Sequence, residues 1–254
     1  MTNPSLTLLV THPHPCSYLR EQQASIAFVN PDYPITPFLF SRLAEAGFRR
    51  SGQHIYRPQC QHCQACIPVR IPVKKFTPNR NQIRCIKRNT DLDVQQVTSI
   101  NNDTCYLLYE KYINTRHRDG DMYPATREQY ENFLGVPWPE SFYLTYYCQN
   151  RLIAVSVCDR VDNGYSAVYT FFDPDEHTRS LGVFAVLNQI VRAKLEGLDY
   201  LYLGYWIKNC EKMRYKNQYQ PLEMRIDKQW KTQTLAQSPT THNQREKQPR
   251  GEPL

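Results

Sequence analysis

Acidic residues are absent from one long stretch of this 254-residue chain. Between Arg49 and Arg88 there is no Asp or Glu, against ten Lys or Arg. The block carries +10 while the whole chain carries +7, which leaves about −3 for the rest. Charge segregated in this way excludes an evenly mixed surface and directs attention to a polyanionic partner. Long apolar runs are absent as well. No segment approaches the ~18 apolar residues of a membrane span, and residues 1–15 carry neither the basic start nor the apolar run of an export signal. A cytoplasmic protein with reduced thiols is expected, which makes disulfides the less favoured use of the nine cysteines. No internal repeat is visible. No base-reading RNP motif is present, so any nucleic acid would be read by shape and phosphate.

Against these absences stand 18 Tyr and 18 Pro, and a thiol triplet inside the basic block. Tyr packs its ring and keeps a hydroxyl free for polar ligands. Cys60, Cys63 and Cys66 follow a C-x2-C-x2-C spacing. A ferredoxin-type run would place its next cysteine at position 70, followed by Pro, but position 70 is Arg. Zinc or an iron–sulfur cluster therefore requires a fourth ligand from elsewhere: Cys16, Cys85 or His62. The candidate set is Cys16, Cys60, Cys63 and Cys66. A reduced cluster that packs a loop and a redox-responsive site are the alternatives.

Patterning predicts a helix over 38–47 closed by Gly47, and an edge strand in which Val69, Ile71 and Val73 alternate with polar or proline residues. Helices are expected over 102–114, 126–134 and 180–196. Strands are expected at Phe142–Cys148, Leu152–Val157, Tyr165–Phe172, Tyr200–Tyr205 and Leu222–Ile226, with turns at Gln149-Asn150 and Asp162-Asn163-Gly164. Strands followed by a helix and a further strand define an α+β fold with a mixed sheet. The division expected is a basic, cysteine-containing N-terminal domain over 1–95, a catalytic domain over 96–231, and a disordered polar tail over 232–254.

Three groups of residues can carry chemistry. Arg57, Arg70, Lys74, Lys75, Arg80, Arg84, Lys87 and Arg88 suit a phosphate backbone, each contact releasing counterions; Lys216 extends that surface. Tyr109, Tyr112, Arg116, His117, Asp121 and Met122 crowd a helix end and the turn after it, where Arg116 can hold a carboxylate and Asp121 an ammonium. Arg179-Ser180-Leu181-Gly182 opens a helix and partly matches the R/Q-x-x-G-x-G/A phosphate turn of N-acetyltransferases, with Phe184 replacing the final small residue.

Together these pieces resemble the aminoacyl-tRNA–protein transferase family. Thr11-His12-Pro13 with Cys16, Gly47-Phe48-Arg49-Arg50-Ser51-Gly52 and Tyr56-Arg57-Pro58 leading into the cysteine triplet are similar to its N-terminal region. Arg116-His117, Gly120-Asp121-Met122, Phe171-Phe172-Asp173-Pro174, Tyr202-x-Gly204-Tyr205-Trp206 and Tyr215-Lys216 continue the likeness over about residues 10–230. The type it most resembles is the bacterial aspartate/glutamate leucyltransferase. That resemblance implies an N-acetyltransferase-like catalytic half, leucyl-tRNA as donor and proteins beginning with Asp or Glu as acceptors, which are marked for degradation by the N-end rule. On side-chain chemistry, the basic stretch is expected to hold the tRNA phosphates, Arg116 and His117 the acceptor carboxylate, and Asp121 its amine. Tyr109, Tyr202 and Trp206 would line the substrate pocket, with Tyr205 as a catalytic hydroxyl. Direct transfer of an activated ester requires no cofactor. Arginyl transfer, a metal-linked RNA-binding module, a coenzyme A acetyltransferase and a cysteine redox sensor are the competing readings. Nothing in the sequence sets the oligomeric state.

Overall fold

The computed structural model describes residues 6–233. Two sheets and five α-helices organise them. The first sheet is antiparallel, in the order β1 (Leu8–Val10), β4 (Ile26–Val29), β6 (His54–Pro58), β5 (Arg49–Ser51). A two-stranded ribbon pairs β2 (His14–Pro15) with β3 (Gln23–Ala24). The main sheet has eight strands: β14 (Gln229–Thr232), β13 (Glu223–Ile226), β7 (Ile67–Pro72), β12 (Tyr200–Trp206), β11 (Gly164–Phe172), β10 (Arg151–Val161), β9 (Ser141–Cys148), β8 (Asp93–Val97). Of these neighbours only β11 and β12 run parallel, joined by the crossover helix α5 (Leu181–Leu195).

Local sequence explains the element ends. Helix α1 (Pro37–Glu45) starts where the Thr36 hydroxyl accepts from the Leu39 amide, with Pro at the first position. It stops at Gly47, whose φ of +90° suits glycine. Helix α2 (Arg80–Arg88) begins with a reciprocal capping box between Asn79 and Gln82. Helix α3 (Asp103–Arg116) is capped by Asn102 and ends at His117. Burial of apolar side chains on both faces of the main sheet then supplies the stability. Helices α2 and α5 cover one face through Cys85, Phe184, Leu187 and Ile190. The other carries α3 and the short α4 (Arg127–Tyr130) through Tyr109, Ile113 and Tyr130. A third core, with Phe40, Leu43 and Ile55, joins α1 and the first sheet to Val161 and Tyr202 of the main one.

Several expectations change. Residues 67–72 form an interior strand rather than an edge. Its prolines are tolerated because they lie at the ends of the ladder, opposite Tyr205 and Tyr200, while β13 pairs only with Arg70 and Val69 between them. The main sheet thus takes strands from both sides of residue 95. The helix expected over 126–134 is α-helical only to Tyr130 and continues as a π turn over Glu131–Gly135. Thr232, placed in the tail, pairs with Glu223. The tail from 234 onward lies outside the described residues. Among the described residues, no helix is long and apolar enough to cross a membrane.

Candidate active site

The parallel strands β11 and β12 pair only where Gly164–Ser166 face Tyr200–Tyr202, then part. Arg49, projecting from β5 of the first sheet, reaches this fork. Its guanidinium donates to Ala167 O at 2.8 Å and Tyr202 O at 3.4 Å. Burial lowers its pKa, opposed by Tyr205 and Tyr56. A second buried cation lies beside it. Lys216, 5 % exposed, donates to the Tyr205 carbonyl and approaches the Met213 sulfur at 3.3 Å. Both cations flank Gly204 of β12, whose φ is +79°. A Cβ there would lie 3.5 Å from Arg49 Nε and 3.8 Å from Lys216 Nζ. Burial first, and then Arg49, lower the Lys216 pKa to about 7; Cys210 and Cys66 oppose.

The C-terminal end of α3 forms a neighbouring wall. The Tyr112 ring meets His117 at 5.0 Å and Phe172 of β11 at 4.9 Å. Arg116 is exposed and lays its guanidinium over Phe172 at 5.4 Å. His117 Nε2 is buried without a hydrogen-bond partner among the described residues, and burial, then Lys212 and Arg116, lower its pKa. Asp121 is exposed and accepts from Ser17 Oγ at 3.4 Å. Burial of its hydroxyl, then Tyr112, raise the Tyr215 pKa to about 12, and Arg49 opposes.

Beside Ser17, a cavity of about 430 Å³ opens between the cysteine triplet and β12. Cys16, Cys60, Cys63 and Cys66 all line it, as do Tyr205 and Ile207. Thiols are suitable donors for zinc or iron–sulfur iron, yet among the described residues no three His, Cys, Asp or Glu side chains converge as a metal-ligand group. As placed, the four cysteines do not fit a metal or cluster.

Other expected site residues fall elsewhere. Tyr109 is fully buried between Tyr130 and Phe171, with its hydroxyl on the Met122 sulfur at 3.8 Å. Tyr202 is core: its hydroxyl donates to Asn163 at 3.1 Å and accepts from Arg70 at 3.3 Å. Neither is free to line a substrate pocket. Tyr205 does line the cavity, but its hydroxyl donates to Gly47 O at 2.8 Å, and burial raises its pKa well above the usual value. That suits a fixed wall better than a proton donor. Trp206 is half-buried against the α5-side core.

The basic set divides sharply. Arg70, 6 % exposed, pairs with Glu223 at 2.7 Å and stacks on Tyr200 at 3.5 Å. Neither it nor Lys216 offers an outer face to phosphate. Lys74 pairs with Asp199 at 2.6 Å. Arg50 makes a buried, two-pronged pair with Asp159 at 2.7 and 2.8 Å. Acids from the second half thus neutralise part of the block. Lys75, Arg80, Arg84, Lys87 and Arg88 remain exposed, four of them on α2, while Arg57 is half-buried and lines the cavity. Arg179 of the suspected phosphate turn is spent on Asp91 and Glu176, both at 2.9 Å. Asp173 of the Phe-Phe-Asp-Pro run is structural: burial raises its pKa, but Lys111 and Arg151 outweigh burial and hold it below the usual range.

Sequence reasoning read Arg49 and Lys216 only as part of a basic phosphate surface and gave neither a place at this fork. The signal for both was the glycine in Tyr202-x-Gly204-Tyr205-Trp206, the point where two side chains pack against bare backbone.

A basic flank, a forked parallel strand pair with buried Arg49 and Lys216, and a neighbouring Arg–His group are the features this region offers to a ligand. The chain belongs to the aminoacyl-tRNA–protein transferase family. The family model described as "Arginine-tRNA-protein transferase, N terminus" matches residues 14–84, and its C-terminus counterpart matches residues 104–226. The chain is 54% identical over 226 residues to the "Aspartate/glutamate leucyltransferase" of Teredinibacter turnerae, covering 89% of this chain and 93% of the relative. Relatives with the same description from Saccharophagus degradans and Pseudomonas putida KT2440 are 53% and 50% identical, each covering 89% of this chain and 97% of the relative.

Proposed function

We propose that the protein transfers leucine from leucyl-tRNA to the α-amino group of proteins beginning with Asp or Glu, marking them for degradation. The observation that carries this reading is an exposed Arg116 next to His117, whose Nε2 has no hydrogen-bond partner among the described residues. Two cationic or donor groups there suit a side-chain carboxylate, the Arg in bidentate fashion. Asp121, held by Ser17, stands where an ammonium is attracted.

The catalytic unit is read as an N-acetyltransferase-like mixed sheet that borrows β7 from the N-terminal half. The acceptor amine has a pKa of ~7.7–8.0, so most of it is protonated at pH 7. Lys216, with a pKa of about 7, is neutral in part at that pH and accepts this proton. The freed nitrogen attacks the leucyl carbonyl, the C–N bond forms and the ester C–O bond breaks. The Lys216 ammonium gives its proton to the leaving ribose oxygen, and the regenerated amine takes the second proton from the new amide nitrogen and passes it to water, so one proton is released per transfer. Positioning supplies ~7–11 kcal/mol of the barrier, and no thiol or serine nucleophile is needed. Lys75, Arg80, Arg84, Lys87 and Arg88 hold tRNA phosphates.

The test is purified protein with an Asp-start peptide and charged leucyl- and arginyl-tRNA in parallel. Leucyl product is expected; product from neither donor would refute the reading.

A further inference from the structure

The cavity beside Ser17 has a composition that the activity does not yet use. Its lining contains four thiols, Leu19, Ile67, Ile207 and the Tyr205 ring, with four glutamines around them and no Asp or Glu. Two guanidiniums, Arg57 and Arg225, also face it. Arg57 lies over Phe48 at 4.9 Å and bonds Gln59 at 3.3 Å; Arg225 donates to Glu45 O at 3.0 Å. Neither makes an ion pair among the described residues. Tyr18, 44 % exposed, stands at the rim. The volume of about 430 Å³ lies within the ~300–1,000 Å³ of small-ligand sites.

We propose that this cavity seats the leucyl-adenosine end of the donor, with the cysteines as its apolar wall. The inference rests on the transfer activity above. Reduced cysteine behaves as a small hydrophobe, so thiols, isoleucines and a tyrosine ring suit an isobutyl side chain. An arginyl side chain would enter a site with two fixed cations and no carboxylate, which is repulsive and leaves its charge unpaired. Those same cations complement the phosphate that joins the terminal adenosine to the tRNA. Tyr18 offers an exposed ring on which adenine stacks. Position completes the argument. Cys16 and Tyr18 line the cavity, and Ser17 between them bonds Asp121 of the acceptor wall. Tyr205 lines it too, and its carbonyl holds Lys216. The cavity is thus linked through Ser17 to Asp121 of the acceptor wall and through Tyr205 to Lys216. Donor choice follows from the charge of the wall.

The probe is a non-hydrolysable leucyl-adenosine, with an amide in place of the ester, titrated by calorimetry into the full-length protein beside its arginyl counterpart. The leucyl compound is expected to bind at least tenfold more tightly. Gln64→Trp fills the mouth from an exposed position and should weaken leucyl-adenosine at least tenfold without moving the thermal midpoint. Cys63→Asp introduces the missing carboxylate and should narrow the leucyl-to-arginyl preference at least tenfold. Wild-type binding in both variants would overturn the proposal, and so would stoichiometric zinc or iron on the cysteines. Wild-type transfer with unchanged binding in both variants removes the cavity but keeps the activity. Tight leucyl-adenosine binding without transfer does the reverse.

Discussion

Replacing Lys216 by Met should stabilise the protein while abolishing transfer. The lysine is buried beside Arg49, and folding lowers its pKa from 10.5 to about 7. At about 1.4 kcal/mol per pH unit, that span corresponds to roughly 5 kcal/mol of cost for keeping the charged form inside. Met fills a similar volume without charge. It loses the donor to the Tyr205 carbonyl, a bond contributing about 1 kcal/mol. A net gain of roughly 3–4 kcal/mol at pH 7 follows. The pH dependence separates this from ordinary repacking. Between pH 7 and 10.5 the unfolded lysine binds a proton that the folded one does not, so wild-type stability rises with pH across that window. From pH 7 to pH 9 this lysine alone contributes a rise of about 2 kcal/mol. The charged and titratable groups facing it are Arg49, Cys210, Cys66 and Tyr215, and all four are present in both proteins. Urea unfolding of wild type and Lys216→Met at pH 7, 8 and 9 therefore isolates the lysine in the difference between the two curves. Parallel curves would refute the reasoning, because a lysine with an ordinary pKa contributes no slope in that range.

Asp159→Ala removes the partner of the buried Arg50 and should cost about 3–5 kcal/mol, read as a lower denaturation midpoint. Arg116→Ala should reduce kcat/KM for an Asp-start peptide by about 10- to 100-fold, the loss of a charge-assisted bond, with the melting temperature little changed because its guanidinium is exposed and, among the described residues, lies over the Phe172 ring without an ion pair. Wild-type rates in that variant would sink the assignment of the acceptor site. Arg84→Gln on the exposed face of α2 should weaken tRNA binding and flatten its salt dependence by about one phosphate contact, measured as log Kd against log salt. Arg70→Gln should instead destabilise the fold, because its charge serves Glu223 and not solvent.

That contrast between Arg84 and Arg70 marks what a linear reading can reach. Strands β9 to β11, the turn at Asp162-Asn163-Gly164 and helix α5 were legible because alternation, turn chemistry and helical spacing are local signals. Helix α2 was not predicted, although its capping box is local, because the block around it was read for charge. Partnership across the fold has no local signal. Nothing near Arg50, Arg70 or Lys74 contains an acid, yet Asp159, Glu223 and Asp199 meet them from 109, 153 and 125 residues away. The patch that looked uniformly free is part interior scaffold and part exposed helix. The same blindness hid the fork. Gly204 was visible only as one letter in the run Tyr202 to Trp206, while the two side chains beside it arrive from residues 49 and 216. A side chain at Gly204 would lie against both of them. That contact is an ordinary one, so what demands glycine is the left-handed backbone at φ +79°, and it is against this turn of β12 that Arg49 from the first sheet and the late Lys216 both pack.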